Sequence, residues 1–141
     1  MLKRSVLIVS TLFVFAAVLQ TQQAPTNPKT APPAEYKIPP EEAQKANPVK
    51  PGPEGTAKAR KFYGMDCALC HGAHGDGKGD VGVDMKNMPD FAKPDALKDR
   101  TDGELFYVIR KGKGEMPPED NRAKDDDVWN LVHYVRAFAK K

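Results

Sequence analysis

Apolar residues are distributed along this chain in two different ways. Near the start they form an almost unbroken run, SVLIVSTLFVFAAVL over residues 5–19, behind the charges of Lys3 and Arg4. From residue 54 onward they recur at intervals of three and four, the spacing that lines one face of an α-helix. Segment 55–68 sets Ala59, Phe62, Tyr63 and Cys67 on one side. Segment 101–111 carries a narrow stripe of Leu105, Val108 and Ile109. It opens with Thr101 and Glu104 in a capping-box arrangement and stops at Gly112. Segment 125–140 begins with Asp125, Asp126 and Asp127, which suit the positive end of a helix dipole, and repeats Val128, Leu131, Val132, Val135 and Phe138. No stretch alternates with the period of two that a half-buried strand requires, so the pattern predicts an all-α body. Residues 71–100 read as one long irregular segment, a length that suits a chain wrapped around a large group.

The early apolar run is at the upper end for a signal core and short of the ~20 residues of a spanning helix. Residues 1–24 are therefore expected to be a signal peptide or an N-terminal membrane anchor, with residues 5–19 as the tether. Cleavage after Ala24 is poorly supported, because Gln22 stands where a small side chain is wanted and Pro25 follows. Of the 13 prolines, nine precede residue 54. Residues 25–53 are accordingly expected to be a Pro-rich disordered linker, since such a composition buries too little apolar surface to offset its ordering entropy. That leaves residues 54–141 for the packed domain, too few for a barrel, a doubly wound sheet or a two-domain enzyme. The first 53 residues hold six basic and three acidic side chains; the remainder holds sixteen of each. A neutral domain lacks the basic footprint of a nucleic-acid binder. Its encounters with other proteins should depend only modestly on salt.

Only two cysteines are present, Cys67 and Cys70, and His71 follows directly. The motif C-x-x-C-H is read as the attachment site of c-type haem. Two thiols three residues apart at a helix end can reach the two vinyl groups on one side of a porphyrin, and the next imidazole then faces the iron. Other chemistries use some of the same atoms. Cys67, Cys70, His71 and His74 are a conceivable, cramped zinc set. Dithiol redox chemistry would want a βαβ setting, which the pattern does not supply. Two further patterns are decoys. GKGDVG at 77–82 has glycines in dinucleotide-loop spacing but no strand before it. Asp76, Asp80 and Asp84 lack the two-residue spacing of a calcium loop.

From Tyr63 to its end the chain resembles a class I monohaem cytochrome c, similar to the small bacterial carriers. The resemblance rests on CALCHGAHGDGKGD, TDGELFYVIRKGKGEMPP and DDVWNLVHYVRAF. It implies three to four helices wrapped around one covalently attached haem, with the first and last helices crossing. It implies His71 and Met116 as the two axial ligands. Met88, which precedes Pro89, is the nearest rival to Met116. His74 and His133 are expected to be ordinary surface residues. Ala59 and Tyr63 match the family's positions on one side of the helix crossing, and Leu131 and Tyr134 match the other. Trp129 is expected to be a packed aromatic near it, with a haem-propionate hydrogen bond as the alternative. Many relatives carry a proline twelve residues after the proximal histidine, whose carbonyl accepts the imidazole Nδ1 proton; Val83 stands there, and since any residue has a carbonyl the same bond can be anticipated from it.

The function so implied is an electron carrier, not an enzyme, working between membrane-bound donor and acceptor complexes. It would be periplasmic, either free or tethered to the outer face of the inner membrane, and a monomer or a subunit of a larger complex. A fixed haem subunit of an oxidase or dehydrogenase is the alternative. An open-iron gas sensor or peroxidase is a further one, and it requires Met116 not to bind.

Overall fold

The helical spacing is realised in the structure, with its ends moved. The computed structural model describes residues 35–140. Helices α1 (Pro40–Ala43), α2 (Pro53–Phe62), α3 (Ala68–His71), α4 (Asp102–Lys111) and α5 (Asp125–Arg136) follow one another along the chain. Pro53 opens α2 at a position where its missing N–H costs nothing. The helix expected over 55–68 does not run straight into the motif. A wider π-turn, Tyr63–Cys67, intervenes, in which Ala68 N bonds to Tyr63 O five residues back. Helix α4 carries the capping box read from the sequence. Glu104 N donates to Thr101 Oγ1 at 3.0 Å, and Thr101 N donates to Glu104 Oε2 at 2.8 Å. Helix α5 ends at Arg136, and a 3₁₀ turn over Phe138–Lys140 finishes the segment.

Helix α2 crosses α5 closely because small residues line the crossing. A Cβ on Gly55 would fall 2.1 Å from Asn130 Oδ1, and Ala59 is buried. Around the crossing lie Tyr63, Leu131, Val135 and Phe138, with Tyr134 packed on them. The Tyr63 ring meets those of Tyr134 and Phe138 at 5.4 and 5.1 Å. A second cluster joins Phe106 on α4 to Val128, Trp129 and Val132 on α5. Trp129 is thus a packed aromatic as expected, but in this second cluster and not among the residues of the crossing, stacked on Phe106 at 4.0 Å. The buried row of α4 is Gly103, Phe106 and Arg110, not the anticipated Leu105, Val108 and Ile109. Leu105 and Ile109 instead pack against both clusters from the flank.

The expectation of a disordered linker over 25–53 does not hold from residue 35 onward. Helix α1 lies against α4, where a Cβ on Gly103 would approach Glu42 O to 2.2 Å. Thr101 Oγ1 donates to Ala43 O, and Asn47 Nδ2 donates to Trp129 O at 3.0 Å. Val49 packs on the second cluster, and its carbonyl lies 2.7 Å from His133 Nε2. Prolines remove backbone donors but leave carbonyls, and two strap carbonyls, Ala43 O and Val49 O, meet Thr101 and His133. The leader and tether expected over 1–24, and residues 25–34, lie outside the described residues. Among the described residues no helix is long and apolar enough to cross a membrane.

Candidate functional site

The π-turn and α3 carry Cys67, Cys70 and His71 on successive turns, and the loop after them folds back to hold that end. The last carbonyls of a helix lack intrahelical partners. Here Leu69 O, Cys70 O and His71 O accept from Val81 N, Gly79 N and Gly77 N at 3.0, 3.3 and 2.9 Å. The approach is so close that a Cβ on Gly79 would lie 2.2 Å from Leu69 O, and one on Gly82 would lie 1.9 Å from Cys70 O. Tyr63 Oη donates to Gly72 O at 2.8 Å and pins the turn to the helix crossing. The glycine-rich run that resembled a phosphate loop is therefore a brace for the motif.

Phe91 reaches this brace through Phe91 N to Gly75 O, and its ring stacks on the His71 imidazole at 5.0 Å. His71 Nδ1 is buried and makes no hydrogen bond. The carbonyl bond anticipated from the position of Val83 is thus not made, and Val83 is an exposed residue of a 3₁₀ turn. The ring is oriented by its stacking on Phe91. Burial pushes the imidazole pKa down, so the ring is held in its neutral, ligating form. Burial also pushes the Cys67 thiol up to about 12, helped by the charges of Glu119 and Asp66. Both cysteines are free. A thiol so far from ionising is a poor disulfide-exchange nucleophile. Among the described residues, no three His, Cys, Asp or Glu side chains converge on a metal-binding arrangement, and His74 is exposed. The zinc and dithiol readings lose their footing.

Met116 sits in a tight turn beyond α4. Lys113 N donates to Met116 O and Met116 N donates to Lys113 O, each at 3.1 Å. Gly112, at φ +72°, lets the chain reverse; a Cβ there would sit 2.4 Å from Met116 O. The chain after the turn is gathered by the buried Arg110. Its Nη1 donates to Glu119 O, Asp120 O and Ala123 O at 2.9, 3.2 and 2.7 Å, while Nη2 pairs with Asp125. Arg122, in the same loop, pairs with Asp66 beside Cys67. Sequence reasoning passed over Arg110, Phe91 and Arg122. The one available signal was an arginine set within the apolar period of α4, four residues after Phe106. Met88 packs beside Gly77 in the loop that backs the motif, and Met65 is exposed.

A family model described as cytochrome c oxidase, cbb3-type, subunit III matches residues 54–135. The chain belongs to that family. Among solved structures, the KustC0563 c-type cytochrome is 28% identical with a TM-score of 0.52. The match covers 57% of this chain and 95% of that one. A chain of the Kuenenia stuttgartiensis reducing HAO-like protein complex is 23% identical with a TM-score of 0.57. That match covers 64% of this chain and only 46% of the other, and it speaks for the fold. The fold is that of an all-α class I cytochrome c, and the chain is a c-type haem electron carrier. The residues fit covalent haem c: two free thiols on one turn, a neutral imidazole directly after them, and a thioether in a separately braced turn.

Proposed function

We propose that Cys67 and Cys70 bond the haem through thioethers, that His71 and Met116 bind its iron from the two faces, and that the domain passes single electrons between proteins outside the cytoplasm. In this reading it has no substrate of its own and is not an enzyme. The observation that carries it is the pairing of a braced C-x-x-C-H turn with a separately braced Met116 turn, the two joined through the ion pair of Arg122 and Asp66. Bound haem supplies an iron that changes by one electron between its ferric and ferrous forms.

The chain's own groups do the rest. Cys67 and Cys70 fix the ring's orientation relative to α3. Stacking on Phe91 fixes the plane of His71, so the ligand moves little between oxidation states. Met116 offers a soft sulfur, which favours the reduced iron and raises the potential. With His71 and Met116 both ligating it, the iron would offer no open position for a substrate. Leu69, Val81 and Val83, 55%, 45% and 62% exposed beside the motif, suit a small and brief docking contact with a redox partner. Residues 1–24, as leader or anchor, would deliver the domain to the periplasm or hold it at the outer face of the inner membrane.

The mass and optical spectrum of the exported protein test the attachment. A polypeptide without added haem mass overturns it. Met116→Ala tests the sixth ligand. The variant is expected to lose the sulfur-to-iron charge-transfer band, to bind carbon monoxide when reduced and to have a lower midpoint potential. A variant with the parent's spectrum and carbon monoxide reactivity removes Met116 from the site. The family description, which names an oxidase subunit, favours a second reading of this same domain as a fixed haem subunit of a membrane complex. Co-purification with a large partner from solubilised membranes would favour it, and a mature protein found free in the periplasm would count against it.

A further inference from the structure

The strap formed by residues 35–52 precedes the segment that the family model matches, residues 54–135. It runs along α4 from the C-terminal end to the N-terminal end. At one extreme Tyr36 meets Tyr107 edge-on at 6.4 Å, and Lys113 Nζ lies 5.5 Å from the centre of the Tyr36 ring. At the other extreme Ala43 O accepts from Thr101 Oγ1, and Gly103 admits the backbone of α1 at a distance that any Cβ would block. Asn47 and Val49 then fasten the strap to α5. It is therefore held at its far end and along its length, and its first residues are laid on the turn that presents Met116.

The contact with that turn falls at one of the two residues that close it. Lys113 exchanges both backbone hydrogen bonds with Met116. The glycines on either side, Gly112 and Gly114 at φ +72° and +59°, give the turn little stiffness of its own. A side-chain restraint on Lys113 is thus a restraint on where the Met116 sulfur stands. We propose that Tyr36 is a positioning residue for Met116: by holding the Lys113 ammonium over its ring it sets how often the sulfur leaves the iron. This rests on the reading of Met116 as the sixth ligand.

The test uses the full-length holoprotein and free imidazole as a competing ligand. Imidazole enters the ferric iron only when the methionine has left, so its rate of uptake reads Met116 departure. An ammonium over an exposed aromatic ring contributes enough to change such an equilibrium about two- to fivefold. Tyr36→Ala and Lys113→Ala should each raise the rate by about that factor, and the double variant should raise it no further. Tyr36→Phe keeps the ring face and should behave as the parent. A Tyr36→Ala protein that unfolds at lower temperature but takes up imidazole at the parent's rate would show that the residue only supports the fold, and overturns the proposal. Fully additive effects of the two substitutions also overturn it. Met116→Ala separates the two failures. If it takes up imidazole as the parent does, the ligand assignment falls and this inference falls with it. If it alone takes up imidazole rapidly, the assignment stands and the role of Tyr36 does not.

Discussion

The His71 turn and the Met116 turn are braced by different parts of the chain. The first is held by its own downstream loop. Backbone N–H groups six to twelve residues further on satisfy the carbonyls of α3, and glycines at 79 and 82 allow backbone to touch backbone. The second closes on itself through the Lys113–Met116 backbone pair and is tied by Glu119 N to Ile109 O, but it leans further on side chains from elsewhere: Arg110 on α4, Arg122 pairing with Asp66 near the motif, and Tyr36 from the strap. A backbone brace has no rotamers to explore and no neighbour able to yield. A side-chain brace can loosen by degrees. The physical consequence is a site with one fixed face and one adjustable face. That would suit the proposed ligation, in which His71 stays on the iron while Met116 tunes the potential.

The fixed face should fail all at once. Gly82→Ala forces a Cβ to within 1.9 Å of Cys70 O, and only backbone can move to relieve it. A loss of about 3 kcal/mol in unfolding free energy is expected, seen as an earlier denaturation midpoint with an unchanged slope. Gly64→Ala is the matched control, because a Cβ there meets nothing within 4 Å. It should change stability by less than about 1 kcal/mol. If the two variants unfold alike, the close backbone approach is not what braces the motif, and the contrast between the two faces disappears.

The adjustable face should fail in part. Arg110→Met keeps much of the side chain's length but removes the donors to Glu119 O, Asp120 O and Ala123 O and the partner of Asp125. Leaving these acceptors to find water should cost about 2 kcal/mol. The diagnostic outcome is an order of events on heating the ferric holoprotein. The sulfur charge-transfer band should vanish before the helical signal does, whereas in the parent both should go together. Simultaneous loss in the variant would mean that Arg110 supports the core as a whole and not the Met116 turn.

Legibility in the sequence followed the same division. Local signals were sound. The capping box at Thr101 and Glu104, the stop at Gly112 and the C-x-x-C-H turn are fixed by spacing within one segment, while the crossing residues Ala59, Tyr63, Leu131 and Tyr134 are implied by the family resemblance. What escaped were contacts between distant segments. Arg110 lies at an ordinary helical position, and nothing nearby shows that three carbonyls from 119–123 converge on it. The strap over 35–52 was misjudged because its composition buries little by itself; it is ordered by surfaces on α4 and α5. The π-turn before Cys67, from whose first residue Tyr63 Oη donates to Gly72 O, has no compositional mark. For His71, the resemblance suggested a carbonyl partner, while the structure orients the ring by stacking on Phe91.

The smallest expected effect concerns Glu119, three residues beyond Met116. Its backbone is well served, with N donating to Ile109 O at 3.0 Å and O accepting from Arg110. Its carboxyl is not. Oε1 lies 3.5 Å from Arg122 Nη1, a guanidinium already engaged by Asp66, and Oε2 is buried without a partner. Burial pushes this carboxyl above its ordinary value of 4.5, against the opposing pull of Arg122 and Arg110. An acid whose pKa is raised by folding favours the folded state while protonated. That contribution is fully present below about 4.5 and is lost as pH rises through the folded value. Glu119→Gln mimics the protonated form at every pH. It should match the parent in acid and exceed it near neutrality, by up to about 1 kcal/mol. Denaturation midpoints of both proteins at an acidic and a neutral pH decide the sign. A variant that is weaker than the parent at neutral pH would mean that the long contact with Arg122 outweighs burial. The Met116 loop would then be held by charge as well as by the carbonyls that Arg110 gathers, and its adjustability would become a function of salt.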